Sequence, residues 1–214
     1  MKKIFPFLIW LWSSVLFAQN KNIYSFIPEN YDTLSLTKGD LNKDGFADAV
    51  LAVFHKMEKD DLENMNVDSV PPRLLIVLFG SKSGYAEAAK SANALLCKYC
   101  GGVFGDPFNG ISIEKNVLRI SHYGGSAWRW SSDHLFRFQK NDFYLIGQTN
   151  YSYWNVKMCD KLDVFAGTEF KDENFLTGQF KNKKISEDCK LLENKSGKKK
   201  LQPLLSLKKF KIDS

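Results

Sequence analysis

The chain has 214 residues, 44% hydrophobic and 25% charged, a globular composition that excludes a disordered or fibrous protein. Without an N-terminal leader about 195 residues remain, enough for one large domain whose core needs no cofactor to hold it. The formal charge of +6 falls to about +4 once Lys2 and Lys3 are removed, and the excess sits in the last segment; no nucleic-acid partner is expected of an exported chain of this kind.

Residues 1–18 read as a signal peptide. Lys2 and Lys3 precede an apolar run from Ile4 to Phe17, and Ala18-Gln19 offers a small-residue cleavage point. The run is too short for a comfortable membrane span. The expectation is an exported protein, periplasmic or secreted, with no transmembrane span after leader removal. Residues 19–24 are polar and expected to be loose, and residues 26–31 to be extended with a turn at Pro28.

Gly39-Asp40-Leu41-Asn42-Lys43-Asp44-Gly45-Phe46-Ala47-Asp48 is the most specific chemical signal. Oxygen-bearing side chains stand at loop positions 1, 3, 5 and 9, with glycine at position 6, a spacing that suits calcium. Asp40, Asn42, Asp44 and Asp48 are the candidate side-chain ligands, and the Phe46 carbonyl would supply the main-chain oxygen. Position 12 is Leu51, where a helix–loop–helix calcium site carries glutamate, so the pattern fits a β-type loop closed by Asp48. Affinity is expected in the weak extracellular range, on the order of 10⁻⁴ to 10⁻³ M.

The near-continuous apolar run to Phe54 predicts a strand buried on both faces. Residues 55–72 are charged and end in Pro71-Pro72, a surface loop or frayed turn. Residues 73–79 predict a second buried strand, Gly80 to Gly84 a turn, and Tyr85 onward the return of a β-hairpin. From Thr37 to Lys90 this GDxNxDGxxD loop, buried strand and FG-turn-GY unit resembles a repeat of the FG-GAP or VCBS type, which forms propeller blades in exported proteins. The resemblance implies the same four side chains, Asp40, Asn42, Asp44 and Asp48, as calcium ligands. The unit occurs once, and a propeller needs about four or more; no propeller fold or adhesion role is carried over.

Four cysteines, Cys97, Cys100, Cys159 and Cys189, predict disulfides in an oxidising compartment. Of the three pairings, the local one is expected: Cys97 with Cys100, and Cys159 with Cys189. The Cys97-x-x-Cys100 spacing lacks the second pair of a zinc ribbon and the βαβ setting of a redox motif. The glycine-rich run 101–110 lacks the lysine and hydroxyl of a phosphate loop.

Residues 110–155 alternate with period two and predict a four-stranded antiparallel meander, with turns at Lys115-Asn116, Gly124-Gly125-Ser126 and residues 139–142. The runs GGVFGDPF, SHYGGxxWRW and DFYLIG resemble those of a family of small exported bacterial proteins of unassigned function. His122, Tyr123, Trp128, Arg129, Trp130 and Trp154 are the candidate ligand surface, since tryptophan beside polar groups can stack on a sugar or grip a partner. Trp128 and Trp130 share one strand face and Arg129 takes the other. Past Trp154 the chain is expected to be irregular, with one short strand near 175–180. Residues 181–214 carry eleven lysines against four acids and read as a lysine-rich extension of a single β-rich domain, 19–180.

Neither GxSxG nor HExxH is present, and no enzyme is expected. The expected function is a non-enzymatic, calcium-stabilised β module that binds an envelope or extracellular partner or glycan. The alternative is a small periplasmic hydrolase using His122 with Asp133 or His134.

Overall fold

The computed structural model describes residues 22–59 and 70–212; the expected signal peptide and most of the charged segment 55–72 lie outside them. Eleven strands run in chain order: β1 (Tyr31–Gly39), β2 (Asp48–His55), β3 (Leu74–Ser81), β4 (Gly84–Ser91), β5 (Phe108–Glu114), β6 (Val117–Gly125), β7 (Trp128–Gln139), β8 (Asp142–Cys159), β9 (Val164–Asn174), β10 (Gln179–Ile185) and β11 (Leu191–Lys198). Short 3-10 turns are the only helical elements among the described residues. Every paired strand is antiparallel to its sequence neighbour, giving a four-stranded sheet β1-β2-β3-β4 and a seven-stranded sheet β11-β10-β9-β8-β7-β6-β5.

The expected buried strand is β2, where Ala49 to Val53 are wholly buried. Its two faces serve different cores. Val50 and Ala52 join Leu75, Val77 and Ala89 against Leu118, Ile120, Phe136, Phe143 and Leu145 of the larger sheet. Ala49, Leu51 and Val53 join Leu74, Ile76 and Leu78 beneath Ile23, which is buried within a segment expected to be loose; residues 19–21 of that segment lie outside the described residues. Burying each of Phe136 and Phe143 contributes about 1.5–3 kcal/mol.

The meander β5–β8 forms as expected. Its hairpins turn through Lys115-Asn116 (φ 50° and 62°) and Lys140-Asn141 (φ 50° and 59°), positive-φ pairs whose twist matches that of the strands they join. The disulfides are Cys97–Cys100 and Cys159–Cys189, the local pairing. No described helix is long and apolar enough to cross a membrane.

Two expectations fail beyond Trp154. The region is regular: β8 continues to Cys159, and β9, β10 and β11 follow, with the segment near 175–180 mostly a turn. The lysine-rich segment is no appendage either. It supplies most of β10, all of β11, and a returning irregular segment whose Leu207, Phe210 and Ile212 are buried. Leu207 N–H donates to the Phe143 carbonyl at 2.8 Å, and Ile212 N–H donates to that of Asn93 at 2.9 Å. Lysine and glutamate mask the apolar pattern of these strands because charged cross-strand pairs such as Lys184–Glu169 replace apolar contacts. The strand before the calcium-type loop, β1, is likewise masked by its hydroxyl- and charge-rich alternation.

Candidate functional site

The loop between β1 and β2 curls as its spacing requires. Asp40 accepts from the backbone N–H of Lys43 at 2.6 Å and of Gly45 at 3.2 Å; the Asn42 amide oxygen accepts from Asp44 N–H at 3.0 Å, and Asp44 accepts from Phe46 N–H at 2.8 Å. Gly45 takes φ +84°, which a side chain would strain. The side chains of Asp40, Asn42 and Asp44 thus each accept from backbone N–H groups of one tight turn, and their oxygens are of the kind a hard cation selects. Among the described residues no group of three or more His, Cys, Asp or Glu side chains is close enough to hold a metal.

Asp48 has a second task. It is wholly buried, and its two oxygens accept from Leu41 N–H at 2.7 Å and Gly80 N–H at 2.9 Å, tying the loop to β3. Burial pushes its carboxyl above the usual range, and nearby Asp44 adds to this against the backbone hydrogen bonds. On the far side, the Asn116 amide donates to the Asp40 carbonyl, so the β5–β6 turn clasps the loop to the larger sheet.

The aromatic candidates divide between the faces of the larger sheet. Register pairs Gly124 with Trp130, Trp128 with Trp154, and Gly125 with Arg129. His122, Trp128, Trp130 and Trp154 thus lie on the face that carries the core, and Tyr123 and Arg129 on the other. On the outer face Arg129 stacks on Phe104 at 3.5 Å, and Tyr153 stacks on Phe165 at 4.8 Å. On the inner face Trp154 packs beside the Cys159–Cys189 disulfide, while Trp130 rests half-buried against the main core. Trp128 is 43% exposed and lies over Gly167, where an added Cβ would come within 2.3 Å of the indole.

A groove opens on this inner face where the larger sheet extends beyond the core. One depression of about 250 Å³ is lined by Trp130, Ser132, Asn150, Ser152, Glu169 and Lys171. A second of about 460 Å³ adjoins it through Ser152 and Glu169 and runs past Trp128 to Lys184 and residues 185–188. The second volume falls within the range of small-molecule clefts, roughly 300–1,000 Å³, and the first just below it. Its polar half escaped the sequence reading. The signal was present in the alternation Ser132/Trp130 and Asn150/Ser152, but Glu169, Lys171 and Lys184 stand on strands that were read as irregular chain.

His122 and His134 are both buried. His122 is 1% exposed; its Nε2 accepts from Leu96 N–H at 3.3 Å, which leaves the proton on Nδ1, a buried atom with no hydrogen-bond partner. His134 packs on Phe210 with ring centres 4.9 Å apart. Asp133 faces the opposite side, bonded to Ser121 and Arg119, so the His122–Asp133 pair is not formed. Burial, with His134 and Arg73 nearby, lowers the His122 imidazole to about 4. The unfolded chain, with histidine near 6.5, binds that proton first as pH falls. The stability His122 contributes is present above about pH 6.5 and is lost as pH drops through about 4, by up to about 3 kcal/mol. Urea unfolding across that window should show a steep decline that flattens in His122→Gln, whose amide oxygen still accepts from Leu96; an unchanged slope would refute this assignment.

A second buried polar site went unread. Arg73, 2% exposed, donates to both oxygens of buried Glu58 (3.0 Å from Nε, 2.9 Å from Nη2) and to Asp106 (2.8 and 2.7 Å). It joins the start of β3, the turn after β2 and the loop before β5.

The chain matches no family model, no curated protein and no solved structure.

Proposed function

We propose that this chain is an exported, non-enzymatic β module, braced by calcium at the Asp40 loop, that holds an envelope or extracellular partner or a glycan in the inner-face groove. The groove carries the reading: an exposed tryptophan, a half-buried one and a line of hydroxyl, amide and charged side chains converge on one cleft. Export rests on the leader pattern and on two disulfides, which persist in oxidising compartments. Calcium would be held by the side chains of Asp40, Asn42 and Asp44 and the Phe46 carbonyl, with Asp48 behind them. There it would neutralise crowded carboxylates and stiffen the junction between the sheets. The resemblance to an FG-GAP or VCBS repeat supports the same ligands.

The test is capture from envelope extract on immobilised protein. The wild-type chain should retain a protein or glycan that Ser152→Trp, which fills the groove, and Asn150→Ala, which strips one of its contacts, both retain about tenfold less or weaker still, the loss expected of a central contact. Equal retention by all three baits, with melting temperatures matched, would remove the groove from the proposal.

A further inference from the structure

Building on that reading, we infer that the groove takes a neutral or N-acetylated oligosaccharide, with a pyranose ring laid on the Trp128 indole and its neighbours on the polar floor toward Trp130. Three observations favour sugar over other occupants.

The first is the wall. Gly167 lets the edge of the Trp128 indole come close to the backbone of β9, and Trp128 stays 43% exposed, so part of the indole is available as a platform. A flat aromatic surface with a polar surround matches the C–H face and hydroxyl rim of a pyranose.

The second is the floor. Strands β7 to β10 are hydrogen-bonded to one another along the groove, so their backbone is engaged and a peptide cannot add as a further strand there. Recognition falls to side chains. Ser132, Asn150 and Ser152 stand along two adjacent strands, and Glu169 and Lys171 on the next. At about 4.8 Å per strand spacing, the floor from β7 to β10 extends about 14 Å, room for more than one ring. Hydroxyl, amide and carboxylate groups at that spacing serve a ligand that both donates and accepts at every ring.

The third is charge. Lys184 is paired with Glu169, and Lys190 with Asp188; Glu187 and Asp188 line the same end. Among the charged residues that line the groove, Glu169, Glu187 and Asp188 outnumber Lys171 and Lys184. A sulfated or uronate chain would meet carboxylates without the surplus of cations it needs.

The experiment titrates the intact mature protein with chitotetraose, cellotetraose and maltotetraose, with a heparin-derived tetrasaccharide as the acidic control, followed by tryptophan fluorescence and calorimetry. At least one neutral tetrasaccharide should bind and perturb the emission. Trp128→Ala should weaken that binding about tenfold or more, Trp128→Phe should restore most of it, and Asn150→Ala should weaken it with the emission baseline unchanged. Trp128 is partly exposed, and near-ultraviolet circular dichroism verifies that each variant is folded. Failure of all three neutral sugars, or preference for the acidic one, overturns the inference. If Ser152→Trp still abolishes capture of a protein from envelope extract while the sugars fail, the groove reading stands and only the ligand class falls. If both fail, the groove itself falls.

Discussion

Arg73→Met should destabilise the protein by about 3–5 kcal/mol, the loss expected when one partner of a buried ion pair is removed. The cost arises less from the lost attraction than from Glu58, which is 4% exposed and would keep a desolvated charge with no counter-ion. The surrounding structure cannot easily relax. Lys98 and Tyr99, beside the Cys97–Cys100 disulfide, both donate to the Glu58 carbonyl, so the acid is held from two directions. Asp106 is less affected because it is partly exposed. Burial raises its carboxyl, but the hydrogen bonds from Arg73 and from Phe108 N–H, together with the charges of Arg73 and Lys98, outweigh this and hold it below the usual range. Its contribution is therefore present above about pH 3.9 and is lost as pH falls through the lowered value. Urea unfolding at neutral pH provides the measurement. Arg73→Met combined with Glu58→Leu should recover part of the loss, since replacing both partners removes the orphaned charge. A single-variant loss below about 1 kcal/mol, the range of exposed pairs, would contradict the account.

Asp48→Ala should cost about 2–5 kcal/mol, because it leaves the N–H groups of Leu41 and Gly80 buried and unpaired at about 1–3 kcal/mol each. Asp48→Asn should cost less, keeping one acceptor. The pH dependence has the opposite sign to that of Asp106. Burial raises the Asp48 carboxyl, so its contribution is full below about pH 3.9 and declines as pH rises through the raised value. A cation in the loop would offset that decline at neutral pH. The wild-type protein should therefore melt higher with excess calcium than with chelator, by up to about 2.7 kcal/mol of stability at a hundredfold excess over the dissociation constant. Asp44→Ala should abolish the calcium response while leaving the Asp48 bonds to Leu41 and Gly80 intact. No heat on calcium titration, and identical melting of wild type and Asp44→Ala with and without chelator, would remove the metal from the proposal.

The two sites separate two kinds of information. The loop was legible because its ligand spacing is local: Asp40 to Asp48 lie within nine residues, and their side-chain geometry follows from the turn. What Asp48 does for β3 was not legible, since Gly80 is thirty-two residues away. Arg73, Glu58 and Asp106 give no sequence signal at all, being ordinary charged residues until the fold buries them together.

The strands obey the same division. Continuous apolar runs announced β2 and β3, and period-two alternation with short turns announced β5 to β8, because the pleat exposes one face and buries the other. The sequence by itself thus determined the fold class and the central meander, while the structure chose the local pairing among the three that the cysteines allow. The sequence also determined that Trp128 and Trp130 share a face. Only the tertiary structure decided that the lysine-rich segment closes the larger sheet and sends Leu207, Phe210 and Ile212 back into the core. It alone decided which face of the aromatic cluster meets the core, sealed His122 away from Asp133 and joined Trp128 and Trp130 to a polar floor drawn from β8 to β10. The reason is physical. A strand's own pattern reports which residues face the same way, but what they face depends on the register and packing of strands distant in the chain.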